Sequence, residues 1–236
     1  MTAASPTLLT DETPVTAEAQ PTDVALSTLL RSGTRQEHRE AESMGFIGTL
    51  MSGAFGERGR DAYTALAGQQ HAIYGALEAA SAQIAATDEG AAAGIVFAEL
   101  TRTLSIEADL EHLLGAGWRE QVTVLPATAA YVASLRASGA SLPLYAAHAY
   151  TRYLGDLSGG QVIRAMMQRH YGFGDEGVSF YHFAEIEKPK VFKDLYRERL
   201  DALPLDDAGR AAAVAEAQVA FRHNQDLFAA LGEIFL

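Results

Sequence analysis

The chain has 236 residues, 48% of them apolar, which suits one folded domain with a real core and a short extension. Its net charge of −12 argues against nucleic acid and anionic membrane surfaces as partners. It contains no cysteine, so disulfides, thiolate metal sites and thiol nucleophiles are excluded.

Residues 1–21 carry Pro6, Pro14 and Pro21, with acids and no base, and read as a disordered tail. Residues 22–236 read as the domain. No targeting segment is visible, and the apolar run from Leu227 to Leu236 is far shorter than the roughly 20 residues that span a bilayer. A cytoplasmic protein without a membrane anchor is expected.

A first helix is expected from Thr22 or Asp23 to Ser43, with Leu26, Leu30, Thr34, His38 and Ala41 on its buried side. A histidine on an apolar face is more often a satisfied core residue than a metal ligand. Here Glu42, one turn on, can orient the ring's other nitrogen, as partners of ligating histidines do. Arg31, about 10 Å back along the axis, can hold an anionic group of the same ligand. Phe46 to Phe55 follows as a short helix. A long one spans Arg60 to Ala86, with Tyr63, Leu66, Gln70, Tyr74 and Leu77 along one side. If Tyr74 is buried, its hydroxyl needs a partner. Further helices are read over Ala91 to Leu114 and, carrying Tyr131, over Pro126 to Ala137. Trp118 to Leu125 is a connector.

The central pattern runs from Leu142 to about Tyr171, with Ser141 as cap and Pro143 in the first turn. Inside it, Gly155, Gly159 and Gly160 give up about 1 kcal/mol each against alanine. Gly155 and Gly159 share a face, beside Arg152 and Asp156, leaving a strip of bare backbone. Two readings stay open: close packing against another helix, or approach of something flat. Leu157-Ser158-Gly159-Gly160-Gln161 also matches the signature peptide of ABC-type ATPases, but no phosphate loop accompanies it. Gly172 to Phe183 reads as an irregular loop, and Ala184 to Leu203 as a helix. Asp206 caps a last helix to about Ile234 that carries Phe221, Asn224 and Phe228. Strand signals are almost absent, so the chain is read as all-α, with about eight or nine helices.

Lys188, Lys190 and Lys193 are all the lysines of the chain. Lys190, Lys193 and Arg197 form one stripe, either a solvated face or a clamp for carboxylates. His71, His112, His170, His182 and His223 have no ligand-like companion. His148 either lines a pocket or faces water. A di-iron bundle fails, because no Glu stands three residues before a His.

With these residues in hand the chain resembles a haem oxygenase, of the soluble bacterial type. The resemblance rests on Ala147 through Gln161, on Thr34-Arg35-Gln36-Glu37-His38 through Ala41 and Glu42, and on Tyr74, Trp118 and Tyr131. It continues over Phe192-Lys193-Asp194-Leu195-Tyr196-Arg197 and Phe221 with Asn224. It implies a single-domain helical fold with haem b, both substrate and cofactor, sandwiched between a proximal helix and a kinked distal one. His38 is then the proximal iron ligand, with Glu42 on its other nitrogen and Phe221 alongside. Gly155 and Gly159 bring the distal backbone over the haem plane. Asp156 acts through ordered water, in a polar network with Arg152, Tyr74, Tyr131 and Asn224. Arg31, Tyr150, Lys193 and Arg197 contact the propionates. The implied reaction consumes O2 and electrons from an external donor, such as a ferredoxin or an NAD(P)H-dependent reductase. It yields biliverdin (the IXα isomer is expected), CO and ferrous iron. A monomer is expected. The alternative is a haem carrier of the same fold that does not turn over, against which Asp156 stands.

Overall fold

The computed structural model describes residues 24–236; the tail read over residues 1–21 lies outside them. Among the described residues there is no strand, as the sequence led us to expect. The helices are α1 (Leu26–Gly33), α2 (Arg35–Glu42), α3 (Gly45–Ser52), α4 (Gly59–Ala85), α5 (Asp88–Ala93) and α6 (Thr103–Leu114). They continue with α7 (Trp118–Gln121), α8 (Pro126–Ser138), α9 (Leu142–Ala149), α10 (Gln161–Tyr171), α11 (Pro189–Asp201) and α12 (Asp207–Phe235). Two π turns, Tyr150–Leu154 and Asp156–Gly160, join α9 to α10 in one continuous rod.

The long helices α4 and α12, of 27 and 29 residues, are the spines of the fold. Helix α4 packs on α6 and α8, and α12 packs on α9, α2, α3 and α1. Between them sits one core, which includes Leu26, Leu30, Phe46, Leu77, Leu110, Leu135, Tyr145, Leu227 and Leu231. Asp206 caps α12 as the sequence suggests, its Oδ1 accepting from the Gly209 amide at 2.8 Å. Ser141 occupies the N-cap position of α9 with Pro143 in the first turn, but its side chain makes no capping bond.

Several boundaries differ from the sequence reading. The expected first helix breaks at Thr34. That residue's hydroxyl donates to the Leu30 carbonyl at 2.7 Å and its backbone leaves helical geometry, so α1 and α2 part there. The expected run from Ala91 to Leu114 is broken between α5 and α6. Gly94 ends α5 in the left-handed region, at φ 61°, where glycine is unstrained. The connector after Gly117 opens with the short α7. The helix expected from Ala184 begins only at Pro189, which suits a first turn because it has no amide hydrogen to leave unpaired.

The rod spans the run expected from Leu142 to about Tyr171, and its π turns are the departure that matters most for function. A π turn carries one extra residue per turn and is found most often where a helix must bend at a site. Here the Thr151 hydroxyl donates back to the Ala147 carbonyl at 2.9 Å, a bond that bends helices. Gly155, Gly159 and Gly160 follow, with no side chains to crowd the wider turns.

Candidate haem-binding site

Helix α2 presents His38. Its Nδ1 stands 3.3 Å from Glu42 Oε2, one turn along, as the spacing suggested. The side chain is not on a covered face, however: 54% of it is exposed. The apolar-stripe argument supposes that protein covers that face, whereas α2 has only Ala41 buried. One flank of the ring meets Phe221 of α12 edge-on, with centroids 5.5 Å apart. Nε2 makes no hydrogen bond among the described residues. Nor does any group of three or more His, Asp or Glu side chains there suit a bare metal ion. A lone imidazole suits a metal that brings its other ligands with it, as a porphyrin iron does.

Helix α12 links this imidazole to the π segment. Phe221 touches His38. Asn224, one turn further on, accepts from Arg152 Nη1 at 2.7 Å and donates to the Ala220 carbonyl at 3.0 Å. On the π segment, Gly155 and Gly159 are both exposed, and a Cβ added to either would meet no atom within 4 Å. Among the described residues no helix packs on this strip: the bare backbone faces open space. Gly160 differs, since a Cβ there would come within 2.8 Å of the Tyr181 ring.

Beside the glycines lies a polar network. Tyr74, fully buried on α4, donates to Asp156 Oδ2, so the buried hydroxyl has the partner it requires. Desolvation raises the Asp156 carboxyl well above the usual carboxylate range. Arg152 is buried, with its guanidinium 5.0 Å over the Tyr74 ring and Nη2 donating to Gln70 Oε1. Burial also lowers its own pKa. Tyr131 is fully buried, and burial pushes its phenol up to about 12. Its hydroxyl lacks a well-aligned partner among the described residues, although Asn224 lies close by. Its ring stacks on His223 at 5.0 Å.

At the rim, burial raises the Tyr150 phenol, while the nearby Arg197 and Arg31 oppose the rise. Lys193 Nζ donates to Ser158 Oγ at 3.2 Å, and Arg197 pairs with Asp194 at 2.8 Å. Helices α1 and α11 thus place cations along the edge of the glycine segment. The fourteen residues singled out in the sequence fall on α2, the π segment, α1, α4, α8, α11 and α12.

The sequence missed four features. Gln70, expected only along one side of α4 with Tyr74, accepts from Arg152. Tyr181 packs on Gly160 and is close enough to Asp156 to feel its charge. His148 neither lines a pocket nor faces water: it is fully buried and pairs through Nε2 with Glu216 Oε1 at 2.8 Å. His71, thought companionless, meets Glu107 at 3.1 Å. A cavity of about 380 Å³ between α4, α6 and the end of α12 contains none of the site residues.

The decisive comparison is with a family model: haem oxygenase matches residues 24–230. The chain belongs to the haem oxygenase family. Haem oxygenase 1 of the cyanobacterium Synechocystis is 38% identical over 206 residues, 87% of this chain and 84% of that one. The haem oxygenase of Takifugu rubripes is 39% identical over 206 residues, 86% of this chain and 73% of its own. The crystal structure of the Synechocystis enzyme in complex with haem superposes with a TM-score of 0.83 at 37% identity, covering 90% and 94% of the two chains. The structure of the Leptospira interrogans haem oxygenase gives 0.81 at 33% identity, over 88% of this chain and 100% of the other. This haem oxygenase is therefore an oxidoreductase. Among its described residues no helix is long and apolar enough to cross a membrane.

Proposed function

We propose that this haem oxygenase converts haem to biliverdin with the residues just described. Haem lies between α2 and the π segment. The supporting observation is the pairing of an exposed imidazole, steadied at Nδ1 by Glu42, with a backbone strip that has open space above Gly155 and Gly159. When bound, haem supplies the iron at which O2 is activated and the ring that is opened, giving biliverdin, CO and ferrous iron.

The chain supplies position and protons. Nε2 of His38 takes the iron, and Glu42 holds the imidazole in the tautomer that leaves this nitrogen free. Gly155 and Gly159 allow the helix to lie close over the ring, where any side chain would hold it off. Asp156 is the proton source. Desolvation raises its pKa, which favours the protonated form, and Tyr74 fixes one of its oxygens. Acting through water, Asp156 would stay back from the iron of a bound haem. Arg152, Asn224 and Tyr131 complete the network. Arg31, Tyr150, Lys193 and Arg197 hold the propionates, which sets the rotation of the ring and favours opening at the α edge.

Electrons come from an external donor, a small acidic ferredoxin or an NAD(P)H-dependent reductase. It docks at a local basic patch of the otherwise acidic surface. The test is a reductant-driven turnover under O2, with chromatographic identification of the bilin. Loss of the Soret band with release of CO and biliverdin IXα is expected. Persistent haem absorption without CO would overturn the reading.

A further inference from the structure

Both terminal nitrogens of Arg152 end on neutral amides. Nη1 donates to Asn224 from α12, and Nη2 to Gln70 from α4. Among the described residues no carboxylate pairs with this guanidinium, although a buried charge normally has such a partner. The same α4 carries Tyr74 one turn after Gln70, and the π segment carries Asp156 one turn after Arg152. Four side chains therefore form a relay that, with the two helices, makes a ring: Gln70 accepts from Arg152, Arg152 lies over the face of Tyr74, and Tyr74 donates to Asp156.

We propose that Gln70 is a positioning residue that holds Arg152 over Tyr74 without cancelling its charge, so that the cation strengthens the Tyr74 hydroxyl as a donor to Asp156. A guanidinium over a phenol ring draws electron density from it, and a depleted phenol donates more strongly. A carboxylate in place of Gln70 would accept the same hydrogen bond and quench the effect. The proposal rests on the haem oxygenase reading for its purpose, but the ring of four residues belongs to the chain without haem.

The other groups facing this ring leave the charge uncompensated. They are Tyr131 from α8, Tyr153 from the first π turn and Tyr181 from the 3-10 turn Ser179–Tyr181, all phenols raised by burial. Behind Tyr181 lies Asp109 of α6, whose oxygens each accept an amide, from Ser179 and Phe180, at 2.8 Å. Near Tyr131 lies Glu216, occupied by His148, and His223, stacked on the phenol.

The experiment uses the haem-free protein. The Asp156 carboxyl is titrated by isotope-edited infrared spectroscopy, with Asp156→Asn as the blank. Gln70→Glu is expected to raise its pKa by about one unit or more. The same substitution made in Tyr74→Phe should produce no such shift, because the effect passes through the phenol. An unchanged Asp156 titration in Gln70→Glu overturns the proposal. So does an equal shift in the Tyr74→Phe background, or an introduced carboxyl that stays neutral beside Arg152. Should Gln70→Glu not fold, Asn224→Asp makes the same cancellation from α12 and is read in the same way. Haem binding is scored separately by the Soret band. A chain that takes up no haem sinks the function reading and leaves these titrations standing.

Discussion

Glu42 Oε2 lies 3.3 Å from Nδ1 of His38, and nothing else polar among the described residues touches that ring. The pair is exposed, so it contributes little to stability of the haem-free fold. His38→Ala should change the unfolding free energy by no more than about 0.5 kcal/mol. It should abolish axial ligation of ferric haem, and added imidazole should restore the spectrum. Glu42→Gln should keep ligation but weaken it, since the second partner of a ligating histidine is worth roughly 10- to 100-fold in affinity. Haem titrations followed at the Soret band check both.

Two adjacent glycines, Gly159 and Gly160, should behave oppositely. A Cβ at Gly159 meets open space, so Gly159→Ala should leave the haem-free fold intact or stabilise it by up to about 1 kcal/mol. Haem affinity and ring opening should fall, because the methyl occupies the face over the substrate. Gly160→Ala pushes on the Tyr181 ring and should destabilise the fold by about 1–3 kcal/mol. Melting curves with and without haem distinguish the two effects.

Asp156 and Glu216 are both carboxyls, yet they should impose opposite pH dependence. The Asp156 pKa is raised in the folded chain, so the native state holds a proton that the unfolded chain has lost. Its contribution to stability declines as pH rises above the unfolded value near 4. Asp156→Asn, always neutral, should melt higher than the parent at neutral pH and converge with it in acid. The Glu216 pKa is lowered, first by the hydrogen bond from His148. Its contribution is complete above the unfolded pKa and is lost as pH falls through the folded one. Glu216→Gln should therefore melt lower than the parent at neutral pH, with the gap closing in acid. Thermal melts of haem-free protein between pH 3 and 8 test both signs, and two gaps moving the same way would contradict one assignment.

Lys193 and Arg197 stand at the solvent edge, so each propionate contact should be worth less than about 1 kcal/mol. Single alanine variants should weaken haem binding by less than about fivefold, more at low salt than at high. The larger effect should be on rotation of the ring. The Lys193→Ala/Arg197→Ala double variant is expected to release a mixture of bilin isomers, which chromatography resolves.

What could be read from sequence follows from how local each feature is. Helices α4 and α12 keep one period over many turns, and their extents came through to within about two residues. His38 with Glu42, and Gly155 with Gly159, are one-turn pairs whose meaning survives without knowing the fold. The π turns were legible only as a bend, because shifting the backbone bonds by one residue leaves no mark on composition. Gln70 sat among Leu66, Tyr74 and Leu77 and passed for core, since its partner Arg152 is 82 residues away. The late start of α11 had a readable signal in Pro189. The exposure of His38 did not, because an open cleft and a covered core ask for the same stripe.

The two walls of the cleft are tied to a single unbroken rod. Phe221 meets one and Asn224 the other, within one turn of α12. The helix thus acts as a gauge block: the gap is machined into its pitch, not negotiated between loops. Any widening of the gap would first have to loosen the Phe221 contact with His38 or the Asn224 bond to Arg152.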